Sequence, residues 1–196
     1  MRKIVKQVFD CIASFFGILI AFPLMASIFV LIKIKMPDGP AIFKQKRVGK
    51  NGKLFTIYKF RTMSTNHDGS SVSVAGQSRI TPLGAKLRKY KFDELPELWN
   101  ILKGDMSFVG PRPDVPGYAD KLEGENRKIL ELKPGLTGPA SLKYANEEEL
   151  LAKVENPIWY NDNVIYPDKI KINLDYYYNY NIFLDIKYIF KTIFKK

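Results

Sequence analysis

The chain has 196 residues, 46% of them apolar, and a formal net charge of +11. That length suits one good core better than two, and a single cysteine, Cys11, excludes any disulfide within the chain. A single histidine, His67, excludes a metal cluster built on His and Cys, while 31 basic against 20 acidic residues point to anionic partners: nucleic acid, anionic lipid or a phosphorylated substrate.

The first predicted element decides the compartment. From Ile12 to Ile32 the chain carries 21 residues without a charge, enough for a helix of roughly 30 Å, about one hydrocarbon thickness. Basic residues flank it on both sides, with Arg2, Lys3 and Lys6 before and Lys33, Lys35 and Lys44 after. The positive-inside rule wants both flanks in the cytoplasm, and a straight span satisfies only one. Pro23, near the midpoint, removes the bond to the Leu19 carbonyl and bends the helix. The expectation is a re-entrant membrane helix over residues 1–36, broken at Pro23, with Ser14 or Ser27 helping the freed backbone. A helix that spans the membrane straight through is the alternative.

Residues 41–63 alternate apolar and basic residues around Lys50-Asn51-Gly52, which predicts a hairpin. Its periodicity puts Lys59 and Arg61 on one face and Phe60 on the other. Residues 64–78 are polar and read as a loop, either a lid or a plain surface connection. Thr81 and Pro82 then form an N-cap and first helical position, opening a helix that carries Arg88.

The stretch KFDELPELWNILKGDMSFVGPRP, residues 91–113, follows. Capping accounts for much of it: Asp93 as N-cap, Glu94 at the positive helix end, Pro96 in the first turn and Gly104 as the closing glycine. Chemistry accounts for it too, because Lys59, Arg61, Arg88 and Arg112 lie on separate elements that can converge on one phosphate-binding pocket. Pro111 and Pro113 restrict the backbone of Arg112 and pre-aim its donors.

Lys133 to Pro139 reads as a rigid loop whose glycines allow close approach to a ligand. A short helix is expected over residues 147–154, then polar loop to Asp175. Near the C-terminus Lys187, Lys191 and Lys195 recur every four residues beside Ile182, Phe183, Ile186, Ile189, Phe190, Ile193 and Phe194. That is an amphipathic helix, lying in the headgroup layer or capping a core. The expected fold class is α+β and helix-rich: one compact cytoplasmic, membrane-associated domain over residues 37–196 behind the membrane helix.

DELPELWNILKGDMSFVGPRP, with YKFRTM upstream and KPGLTGPASLKY downstream, resembles the bacterial sugar transferases known as monotopic polyprenyl-phosphate phosphoglycosyl transferases. The likeness covers essentially the whole chain. It implies transfer of a sugar-1-phosphate from a UDP-sugar, expected to be N-acetylated, to undecaprenyl phosphate at the cytoplasmic face of the bacterial inner membrane. It implies a ping-pong reaction through a phosphosugar-aspartate, with Asp93 as nucleophile and Mg²⁺ ligand, Glu94 as its dyad partner and Arg112 on a phosphate. Lys59 and Arg88 occupy matching motif positions. Expected partners are the UDP-sugar, undecaprenyl phosphate and membrane lipids; a homodimer stays open. Two positions depart from the family pattern: its Ser-Pro helix break is Phe22-Pro23 here, and Ala145 stands where an arginine often follows the Pro-Gly-Leu-Thr-Gly loop. No nucleic-acid-binding module accompanies the basic charge, so nucleic acid is not an expected partner. A non-catalytic basic membrane adaptor is the rival reading.

Overall fold

The computed structural model describes residues 2–65 and 79–194. The loop expected over residues 64–78, with His67, lies almost wholly outside them. Helix α1, Arg2–Lys35, is one uninterrupted helix with Pro23 inside it, so the expected break costs no helical turn. A proline forfeits one backbone bond and bends a helix, and the turns on either side can continue. The serines do not serve the Leu19 carbonyl: Ser14 Oγ donates to the Cys11 carbonyl at 3.0 Å and Ser27 Oγ to the Pro23 carbonyl at 2.9 Å.

One stripe of α1 docks along the domain from end to end. Lys6 reaches Asp185 at 2.5 Å, Asp10 accepts the Phe108 N–H at 3.2 Å, and Ile18 packs with Ile57, Leu98 and Met106. Ile28, Ile32 and Met36 then bury against Ala41, Phe60 and Leu87. The other faces keep Ile12, Phe16, Ile20, Phe22 and Ile34 exposed. By length and composition this helix is apolar enough to cross a membrane.

Strands β1 (Ile42–Val48) and β2 (Leu54–Phe60) form the expected antiparallel hairpin, with Phe43 opposite Lys59. They join through a 3₁₀ turn, Lys50–Gly52, in which Asn51 and Gly52 take φ of 57° and 77°, a conformation their small or absent side chains tolerate. Helix α2 (Pro82–Lys89) starts as predicted, the Thr81 hydroxyl accepting the Gly84 N–H at 3.0 Å. Helix α3 (Glu97–Leu102) ends at Gly104, whose φ of 85° fits the expected closing glycine. Asn100, fully buried on α3, clamps the helix to the hairpin: its Nδ2 donates to the Thr56 carbonyl at 2.7 Å and its Oδ1 accepts the Tyr58 N–H at 3.1 Å.

The segment read as a ligand loop is instead a strand. Strand β4 (Gly135–Thr137) runs parallel to β3 (Ser107–Val109), pairing Ser107 with Gly135 and Val109 with Thr137. Its glycines admit another stretch of backbone and not a ligand: a Cβ on Gly135 would fall 2.1 Å from the Gly110 nitrogen, and one on Gly138 would fall 2.4 Å from the Gly110 carbonyl oxygen.

Helices α4 (Pro139–Lys143), α5 (Glu147–Leu151) and α6 (Pro157–Tyr160) lead through a π turn, Asn161–Ile165, into α7, Tyr166–Asn179. The loop expected up to Asp175 is therefore helical. Tyr166, Ile170 and Leu174, four residues apart, pack on Val48, Ile129 and Leu130, and that burial outweighs a polar composition. Helix α8 (Ile182–Ile193) splits its apolar residues. Leu184, Tyr188 and Ile189 pack on Val109, Leu132 and Tyr176, capping the core, while Phe183, Phe190, Ile193 and the adjoining Phe194 stay exposed. The described residues form a helix-rich α+β domain with two small two-stranded sheets.

Candidate active site

After α2 the chain turns through Lys91, held in the left-handed region at φ 57°, into a single 3₁₀ turn, Phe92–Glu94. In a 3₁₀ turn successive side chains diverge by about 120°, so Asp93 and Glu94 face different surroundings. Both are buried, at 7% and 8% exposure. Neither caps α3, whose N-cap is Pro96 without a side-chain bond. The capping expectation for Asp93 is thereby corrected: the 3₁₀ turn places it a full turn too early.

Glu94 is the engaged carboxylate. Its Oε1 accepts from Lys59 Nζ at 3.1 Å and from Arg112 Nη2 at 2.5 Å. Burial alone would raise its pKa, but Arg112, Lys59 and Lys91 outweigh that and hold it well below the usual carboxylate range. Asp93 is the available one. Its Oδ1 is buried and has no hydrogen-bond partner. Burial, and then the neighbouring Glu94 charge, push its carboxyl up against the opposing Lys59, Lys91 and Arg88.

The cations arrive from separate elements, as expected. Lys59 comes from β2 and also lies 2.9 Å from Glu97 Oε1. Arg112 is held by backbone ties to β1, where Val48 N–H donates to the Asp114 carbonyl at 2.9 Å and Arg47 Nη1 to the Pro113 carbonyl at 3.3 Å. Arg88, in the last turn of α2, pairs with Glu148. Arg61 is the exception in orientation: its guanidinium donates to the Met36 and Gly39 carbonyls, fastening the link between α1 and β1. All four border one cleft of about 2170 Å³, together with Asp93 and Glu94.

Among the described residues no three His, Cys, Asp or Glu side chains converge as a ready metal site. The donor set instead suits a hard divalent cation that takes one protein carboxylate and completes its shell with substrate oxygens. Glu94 is committed to two cations and Glu97 is paired with Lys59, so the orphaned Asp93 oxygen is the one that could serve as such a ligand.

The sequence profile of the bacterial sugar transferases matches residues 1–196. The chain belongs to that family. A UDP-N-acetylgalactosamine-undecaprenyl-phosphate N-acetylgalactosaminephosphotransferase of Aeromonas hydrophila is 36% identical over 198 residues, 96% of this chain and 43% of that protein. An uncharacterized sugar transferase of Bacillus subtilis, EpsL, is 34% identical over 98% of this chain and 87% of its own length. A UDP-glucose:undecaprenyl-phosphate glucose-1-phosphate transferase of Escherichia coli is 31% identical over 100% of this chain and 40% of its own. The chain thus spans less than half of the first and third relatives and most of the second.

Three residues of this candidate site escaped the sequence reading. Glu97 sits three residues after Glu94, the spacing that puts side chains on one helical face, and that signal was present. Arg47 comes beside Pro113 and Asp114 only through tertiary packing, its Nη1 donating to the Pro113 carbonyl and the next residue's N–H to the Asp114 carbonyl. Asp114 carries a carboxyl that burial pushes up to about 6, against Lys169 and Arg47.

Proposed function

We propose that this chain transfers a sugar-1-phosphate from an N-acetylated UDP-sugar to undecaprenyl phosphate, releasing UMP, in two displacements on Asp93. The observation that carries the reading is the pairing in one turn of an unpartnered buried aspartate with a glutamate engaged by Lys59 and Arg112, in an arginine-bordered cleft. Family membership and the relatives' named activities support sugar-1-phosphate transfer to undecaprenyl phosphate, and the N-acetylgalactosamine named for the Aeromonas hydrophila relative supports the N-acetylated donor.

In the first displacement a carboxylate oxygen of Asp93 attacks the phosphorus that bears the sugar. The bond from that phosphorus to the bridging oxygen of the diphosphate breaks, and UMP leaves with the bond's electron pair. In the second, a phosphate oxygen of the acceptor attacks the same phosphorus. The Asp93–phosphorus bond breaks, returning the carboxylate and yielding the lipid-linked diphosphate sugar. The covalent intermediate divides one hard displacement into two easier ones. A phosphate monoester loses its second proton near pH ~6, so the acceptor arrives as a competent nucleophile. Glu94's work is then to fix Arg112 and to hold Lys59 until the donor arrives, and not to remove a proton. Mg²⁺, bound through Asp93 and the donor's phosphate oxygens, would supply the positive charge that makes anion attack on anion tolerable. Arg112, Arg88 and Lys59 orient the diphosphate.

The same reading places α1 as a re-entrant helix in the bacterial inner membrane with the domain on the cytoplasmic face. Support comes from α1 docking both its N-terminal and C-terminal turns on the same domain while its other faces expose Ile20, Phe22 and Ile34. The test is intact-mass measurement of the full chain in detergent after brief exposure to UDP-sugars with Mg²⁺. The wild type gains one phosphosugar and releases about one UMP per chain; Asp93→Asn gains none. An adduct that persists in Asp93→Asn, or a wild type that turns over donor with no adduct at any time, overturns the assignment.

A further inference from the structure

Glu97 is 1% exposed and opens α3. One turn later on the same helix, Asn100 clamps α3 to Thr56 and Tyr58 of β2, next to Lys59. The seat of Glu97 and the root of Lys59 are therefore fixed to each other. Lys59 Nζ lies between two carboxylates: it is hydrogen-bonded to Glu94 Oε1 at 3.1 Å and ion-paired with Glu97 Oε1 at 2.9 Å, a buried oxygen that accepts no hydrogen bond and has that ammonium as its charge partner.

These two carboxylates stand differently toward losing the lysine. Glu94 would keep Arg112 at 2.5 Å. Glu97 has no other ion pair among the described residues, so losing Lys59 would strand a buried charge, which is strongly unfavourable. Burial already pushes the Glu97 carboxyl up, and Lys59 is the foremost group opposing it.

We infer that Glu97 is a positioning residue, the fixed seat about which the Lys59 ammonium pivots, so that Lys59 exchanges Glu94 for a donor phosphate oxygen without leaving the cleft. This rests on the reading that Lys59 serves the donor diphosphate. It gives the third carboxylate a function that the dyad alone does not require, and it divides the labour: Glu94 is the exchangeable partner and Glu97 the permanent one.

The test is the acylation rate of Lys59 in the full chain in detergent, followed by peptide mass spectrometry with Lys187 as an internal standard. Glu97→Gln, nearly isosteric, is expected to speed Lys59 acylation about fivefold or more, and Glu94→Gln less than about twofold. Equal effects of the two substitutions, or none from Glu97→Gln, overturn the inference. Should Glu97→Gln fail to fold, Glu97→Asp keeps the charge on a shorter arm and must give an intermediate acceleration; no change in that variant also overturns it. The kinetic arm expects Glu97→Gln to slow UMP release about tenfold with the donor KM within about twofold, and an unchanged rate refutes the positioning role. Acylation requires no turnover, so a wild type inert toward every donor would sink the proposed activity while the seat of Lys59 is still decided.

Discussion

Neighbouring carboxylates in one pocket ordinarily repel, so that one of them is raised and the other left near normal. Here the separation is wider because the cations are unequally shared. Lys59 and Arg112 both bond Glu94, while at Asp93 burial and a like charge outweigh Lys59, Lys91 and Arg88. Asp114, two residues after Arg112 and lining the same cleft, is raised as well. Its carboxyl is raised from 3.8 to about 6 by burial. Between those values the native state binds a proton that the unfolded chain does not, so stability falls as pH rises through the window, and the cost is complete above it. Asp114→Asn should therefore stabilise the protein by up to about 3 kcal/mol near pH ~8 and leave it nearly unchanged near pH ~3. Thermal unfolding at the two pH values checks this, and an equal gain at both would contradict it.

Elements reach this site because backbones come closer than side chains allow. Helix α2 carries Arg88 and leads into the turn bearing the dyad, and it docks through Gly84. A Cβ there would stand 1.9 Å from the Thr62 carbonyl oxygen. In a free helix, alanine for glycine stabilises by about 1 kcal/mol. Here the sign reverses: Gly84→Ala should destabilise by about 2–3 kcal/mol and shift α2. By contrast Gly17→Ala would meet only Leu98 at 3.6 Å, ordinary contact, and should be tolerated. Melting temperatures of the two variants, measured side by side, test the contrast; equal behaviour would show that α2 has room to spare.

For the molecule as a whole, α1 is the decisive element. A helix of 34 residues is about 51 Å long if straight, yet Lys6 near one end and Ile32 near the other both meet the same domain. In a Cys11→Ser background, Val5→Cys and Lys35→Cys should both react with an impermeant maleimide only in vesicles that expose the cytoplasmic face. Ends that react from opposite faces would establish a straight span.

What the sequence determined by itself is what neighbouring residues encode. The charge-free run of α1, the Asn-Gly hairpin, the Thr81 cap, the closing Gly104 and the family motif around Asp93 and Glu94 are all local patterns, and each was legible. The stripe of Tyr166, Ile170 and Leu174 was equally readable but lay hidden in polar company. Tertiary structure alone decided the rest. It turned Arg61 to the Met36 and Gly39 carbonyls, made strand β4 of an apparent loop by threading Gly135 past Gly110, and set Lys59 between Glu94 and Glu97. Those outcomes depend on which distant segments share a dry interior, where every buried charge and backbone group must find a partner, and no local pattern specifies that partner.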